Sequence, residues 1–199
     1  MDLVTTKCGV ATAFIGRRAA ENVLHAIRYA GEVGRPINAH VTINFATLGI
    51  GDDAAGAVFR DLQARLSRWW RYERAKGRDL GPLLGVHSHA NPAGSRHVHW
   101  MTHLPASIRG EFEAKTARML RKITGVDDLK DALHVGDVET PGSLAKYILK
   151  GIDPAYAGYL HIKPANEGIV SGRRTGASRA ISRAARKAAG WKRKKSERR

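Results

Sequence analysis

The chain carries a single cysteine, Cys8, in 199 residues. That excludes an intrachain disulfide and a thiolate zinc cluster, and it fits a reducing compartment. Acids are scarce as well, 18 against 34 Lys and Arg, so the net charge is +16 and a polyanionic partner is expected. No apolar run approaches the ~20 residues that span a bilayer, so no membrane role is expected. An acidic second residue, Asp2, and a very short apolar run before Arg17-Arg18 argue against a secretory signal, which makes the cytoplasm the expected location. The phosphate loop G-x-x-x-x-G-K is missing too, so no ATPase of that type is expected in these 199 residues.

What is abundant is positive charge, and it is uneven. Residues 171–199 hold twelve Lys or Arg and one acid, Glu197, for +11, whereas residues 1–170 carry +5. Three regions are expected: an N-terminal arm and helix over 1–36, a main domain over 37–170, and a basic tail over 171–199. Within the tail, Ala180, Ile181, Ala184, Ala185 and Ala188 share one helical side. The basic run Lys192–Arg199 is expected either to add unspecific affinity for phosphates or to be no more than a solvated tail. Arg173, Arg174 and Arg179 are the candidate phosphate contacts there.

Along the chain, residues 1–16 are weakly patterned, a short strand or an extended arm. Val23, Ala26, Ile27 and Ala30 predict a helix from Arg17 to Ala30, ended by Gly31, Gly34 and Pro36. Ile37–Thr47 is β-branched and strand-like. A long helix follows over Asp52–Lys76, with Val58, Leu62, Leu66 and Trp69 as its stripe and Trp69-Trp70 as core and rim. Two strands come next, Pro82–Ala90 and Arg96–Leu104, then a helix over Pro105–Thr124 and a strand over Ala132–Glu139. A short helix, Ser143–Lys150, is capped by Ser143. The order β-α-β-β-α-β plus a helix predicts an α+β fold of ferredoxin-like type, an antiparallel sheet with two helices on one face.

Histidine stands out in the paired strands. Nine histidines would yield only about 0.4 H-x-H pairs by chance. Yet His87 and His89 lie on one strand, His97 and His99 on the next, with the turn Asn91-Pro92-Ala93-Gly94 between them. On an extended chain, alternate side chains point the same way with Cα atoms roughly 6.5 Å apart, close enough for two imidazoles to share one ion at about 2.1 Å. On the last helix, Tyr147 and Lys150 are three apart and share a face.

These motifs in this order resemble the HUH endonucleases, in particular the single-tyrosine initiators of rolling-circle replication. Thr42-Ile43-Asn44 with Phe45 looks like the first strand motif, His97-Val98-His99 matches the metal-binding motif, and Tyr147-Ile148-Leu149-Lys150 matches the tyrosine motif. The likeness covers about residues 37–151. Gly34–Asn38 and Ser171-Gly172-Arg173-Arg174 are similar to small phage or plasmid replication proteins of bacteria.

The resemblance implies a nuclease in which a divalent ion, Mg²⁺ or Mn²⁺, sits on His97 and His99 and Tyr147 is the nucleophile, with Lys150 beside it. Its substrate would be single-stranded DNA at an origin hairpin or nick site, its partners a host polymerase and helicase. Many such enzymes take a third ligand from an acid on the neighbouring strand. No acid stands there, so the role passes to His89, or else to His87, as in the three-imidazole relaxases. Asn44 and Arg96 beside the motifs are further expected DNA contacts. Tyr156 and Tyr159 read as core or base-stacking residues rather than as a second nucleophile. Other expectations are a transposase or relaxase of the same superfamily, a two-histidine RNA phosphoesterase through His40-Val41-Thr42, and a non-catalytic nucleic-acid-binding protein.

Overall fold

The computed structural model describes residues 11–192. Cys8, most of the expected N-terminal arm and the basic run after Lys192 lie outside the described residues. The elements are β1 (Ala11–Thr12), α1 (Arg17–Glu32), β2 (Ala39–Asn44), α2 (Asp52–Ala75), β3 (Gly85–Ala90), β4 (His97–Thr102), α3 (Arg109–Thr124), β5 (Leu133–Asp137), α4 (Pro141–Ile148), α5 (Pro154–Leu160), β6 (Val170–Ser171), β7 (Thr175–Ala177) and α6 (Arg183–Ala188). The class is α+β. Five strands form one antiparallel sheet in the order β5-β2-β4-β3-β7, and β1 pairs separately with β6.

Two cores flank the sheet. On one face, α2 and α3 bury Phe59, Leu62, Leu66 and Phe112 against Val41, Ile43, Val98 and Trp100. Each such side chain contributes roughly 1.5–3 kcal/mol on leaving water. The stripe of α2 centres on Phe59 rather than Val58, and Trp69 and Trp70 are both buried, so neither offers a face to a base. On the other face, α1 and α4 pack Val23, Ala26, Ile27, Ala145 and Ile148 near Val86 and Met101. This second layer brings the tyrosine helix over the sheet.

Helix boundaries shift for local reasons. Pro105 does not open α3; a 3₁₀ turn over Ala106–Ile108 intervenes, and α3 ends at Gly125 in the left-handed conformation, φ 73°. Thr140, not Ser143, precedes α4, and Pro141 occupies its first turn, where a missing N–H costs nothing.

The expected break at residue 171 is not a break in the fold. Strand β7 closes the sheet edge against β3, with Gly176 opposite His87; a Cβ on Gly176 would lie 2.4 Å from the ring's Cε1. Beyond it, α6 sits on α1: Arg186 is buried and donates to Asn22 Oδ1 at 2.8 Å, while Trp191 Nε1 donates to Glu32 Oε2 at 2.7 Å. No helix among the described residues is long and apolar enough to cross a membrane.

Candidate active site

Strand register decides which imidazoles meet. In an antiparallel pair, directly opposed residues project from the same face. His97 opposes Asn44 and Ala90, while His99 opposes Thr42 and Ser88. One face therefore carries His97 and His99 with His40, Thr42, Asn44 and Ser88. His89 opposes Val98, and His87 opposes Trp100, so both project from the other face. The expectation that His89 or His87 completes the ion's ligands is corrected here. The hairpin pairs Ala90 with His97, so odd-numbered residues on one strand face even-numbered ones on the other. His87 and His89 pack edge-on to Phe59, at 5.1 and 5.3 Å between ring centres.

On the α1/α4 face, His40 joins the pair. Its Nε2 is 3.0 Å from His99 Nδ1, and Thr42 Oγ1 touches both, at 3.3 and 3.4 Å. The rings of His97 and His99 are 4.9 Å apart. His97 Nδ1 lies 2.9 Å from the Ser95 carbonyl, which only accepts, so this nitrogen donates and Nε2 is the atom left to meet an ion. His99 Nε2 is buried without a hydrogen-bond partner. A buried N–H left in that state is costly, so the favoured tautomer puts the proton on Nδ1, donating to His40, and leaves Nε2 as a free lone pair. Burial, with His97, His40 and Lys150 nearby, pushes the His99 pKa down to about 3; burial and then His134 lower that of His40. Both rings are therefore neutral near pH 7. Two imidazole lone pairs, each ring oriented through its other nitrogen, are a donor set that fits a divalent ion.

Tyr147 lies over this group. Its ring centre is 5.7 Å from that of His99, and the residue is 51% exposed, open to a polymer substrate. Lys150, in the turn that ends α4, holds its Nζ 4.5 Å from the centre of the Tyr147 ring. The same Nζ is 3.1 Å from Glu167 Oε1, a buried carboxylate. Burial works against the ammonium, but the carboxylate and the phenol beside it prevail, so its pKa is raised. Gly151 permits the approach: a Cβ there would lie 3.1 Å from that of Glu167. Sequence reasoning missed Glu167, a lone acid in an unpatterned loop, and gave His40 only to the phosphoesterase motif.

The expected nucleic-acid contacts divide. Asn44 sits on the histidine face, its Oδ1 accepting from the Thr47 amide at 3.2 Å. Arg173 and Arg179 are exposed. Arg96 and Arg174 are not surface contacts, which corrects both assignments. Arg96 is 1% exposed and pairs with Asp52 at 2.5 Å. Arg174, also buried, donates to the carbonyls of Ala13, Glu167 and His89, tying the N-terminal segment to the loop that carries Glu167. Comparison with protein-family models, curated proteins and solved structures finds no match for this chain.

Proposed function

We propose that the protein is a metal-dependent single-stranded DNA nickase and ligase of the HUH class, acting through a 5′-phosphotyrosine as a single-tyrosine initiator of rolling-circle replication. One observation carries the reading: the Tyr147 ring stands 5.7 Å from His99, whose buried Nε2 has no partner. The strand order β5-β2-β4-β3, built from β2-α2-β3-β4-α3-β5, supports a ferredoxin-like frame for it.

His97 and His99 would hold the ion, Mn²⁺ or Mg²⁺, through Nε2, with His40 orienting His99. When bound, the ion polarises the scissile phosphate and screens its developing charge. Tyr147 Oη attacks phosphorus; the new O–P bond replaces the bond to the 3′ oxygen, and the proton lost by the phenol is made up at that oxygen. The products are a 5′-phosphotyrosyl end and a free 3′-OH. Lys150 stabilises negative charge on the phenolate and the phosphate. Rejoining is the reverse attack by a 3′-OH. The reading implies a protein of the bacterial cytoplasm, working with a host polymerase and helicase.

The test is covalent capture. Mixed single-stranded oligonucleotides with Mn²⁺ should give an SDS-resistant adduct that Tyr147→Phe and chelator each abolish. Adduct formation that survives both would overturn the proposal. A second reading, a two-histidine phosphoesterase, draws on the His40–His99 contact at 3.0 Å with Thr42 between the rings. It predicts phosphodiester cleavage that persists in chelator and without the phenol.

A further inference from the structure

Exposed apolar residues cluster around the tyrosine helix. Among the described residues seven large apolar side chains stand open to solvent, and five of them are Phe14, Tyr147, Tyr156, Tyr159 and Ile169. Single exposed apolar residues need no explanation, but a group of them does. Backbone bonds draw their segments together: Ile15 donates to the Gly151 carbonyl at 2.9 Å, Asp153 to that of Ile15 at 3.1 Å, and Ala165 to that of Lys150 at 2.7 Å.

Cations are interleaved with the rings. The Arg17 guanidinium lies 4.2 Å from the centre of the Tyr159 ring, which keeps 56% of its residue surface exposed. Arg17, Arg18 and Tyr156 line one cleft, and Tyr159 and Lys146 line another, with Glu21 common to both. Lys146 adjoins Tyr147 in the chain. The acids in this neighbourhood are engaged: Glu21 pairs with Arg17 at 2.9 Å, and Asp153 caps α5 by accepting from the Ala155 amide.

We propose that Tyr156 and Tyr159, with Arg17, Arg18 and Lys146, form a stacking platform for unpaired DNA bases that carries the strand away from Tyr147. Aromatic faces accept any base, Arg17 backs the Tyr159 ring while paired with Glu21, and Arg18 and Lys146 remain to neutralise phosphates. The core of a protein interface is depleted of charge and of Lys in particular, whereas Arg17, Arg18 and Lys146 all stand among these rings. The proposal rests on the nicking reading for where the strand leads.

The experiment measures anisotropy of a fluorescent oligo-dT of about 20 nucleotides with the full chain in chelator, where binding is read without reaction. Tyr156→Ala combined with Tyr159→Ala should weaken binding by about tenfold. Tyr156→Phe combined with Tyr159→Phe should retain it, and thermal melting should be unchanged in both. Arg17→Ala with Arg18→Ala should weaken binding and flatten its salt dependence. Wild-type affinity in the double-alanine variant overturns the proposal, as does an equal loss in the phenylalanine variant or equal competition by duplex. Adduct formation is scored separately. If no oligonucleotide is captured but the alanine variant loses binding, the platform stands and the nicking reading falls. If adducts form and that variant binds and reacts like wild type, the platform falls and nicking stands.

Discussion

The two faces of the sheet carry the same motif, H-x-H, in two electrostatic settings. His87 and His89 look toward α2, packed on Phe59, and the charges acting on them include Arg173, Arg96 and Arg60. His89 Nδ1 is buried without a partner, as His99 Nε2 is. At His89 the neighbouring cations are Arg60 and the Asp52-paired Arg96, and the ring is walled in edge-on to Phe59 with 4% of its surface exposed, which leaves no approach for a substrate. On the other face the cation beside His99 is Lys150, which Glu167 partly neutralises at 3.1 Å. There the ring edges toward a half-exposed phenol rather than a packed phenylalanine. Spacing alone does not set the two pairs apart; what each ring faces, a packed phenylalanine or a half-exposed phenol, does.

Exchanging the lesions tests that contrast most severely. His99→Ala should abolish the Mn²⁺-dependent adduct, and as a buried ring its loss should cost about 1–3 kcal/mol in urea unfolding. His89→Ala should cost a similar amount through the emptied space against Phe59, yet the adduct should persist. His40→Ala falls between, with adduct yield reduced about 10–100-fold and partly restored by raising Mn²⁺, because it orients a ligand rather than being one. Adduct yield against metal concentration, set beside urea midpoints, separates the three. If His89→Ala were the variant that lost the adduct, the two faces would have to trade roles.

How much of this was legible in the residues varies with the kind of information involved. Element order and the extent of α1 and α2 follow from periodicity, which is local, whereas the proximity of Tyr147 to His99 is what the family resemblance implies. The face carrying His89 depends on hairpin register, which a one-residue difference in the turn inverts. Glu167 and Arg174 lie in short extended stretches with no period to detect. Their roles arise from long-range backbone pairing, Asn91 donating to Glu167 and His89 to Arg174. The Ala-rich stretch after Arg183 has the pattern of a basic helix for DNA, but its inner side is satisfied by α1, and composition cannot distinguish the two.

Glu167 sharpens the comparison by a smaller step. Its carboxylate holds the Lys150 ammonium beside the phenol and raises the lysine's pKa. In Glu167→Gln the neutral amide still fits but no longer supports the charge. Adduct formation should slow by about tenfold at neutral pH, since one charge-assisted contact is lost. Under the nicking proposal Lys150 acts in its protonated form, and its pKa falls without the partner, so the rate should decline at lower pH on the alkaline side than in wild type. A profile that merely drops at every pH would make Glu167 a packing residue.

The last effect concerns the face turned away from Tyr147. Burial, then the charge of Arg173, pushes the His87 pKa down to about 4 from an ordinary 6.5. The unfolded chain therefore takes up a proton that the folded chain refuses between those values, so stability is lost as pH falls through this window. For one imidazole the loss is at most roughly 3 kcal/mol by pH 4. His87→Gln does not titrate, so its urea-unfolding free energy should fall less steeply between pH 6.5 and pH 4 while adduct formation at neutral pH is kept. His89 shifts in the same direction, so a shallower slope should remain in the variant. If the slope were unchanged, the half-buried His87 would be protonated within the fold through its open edge despite the packing of Phe59 and Gly176.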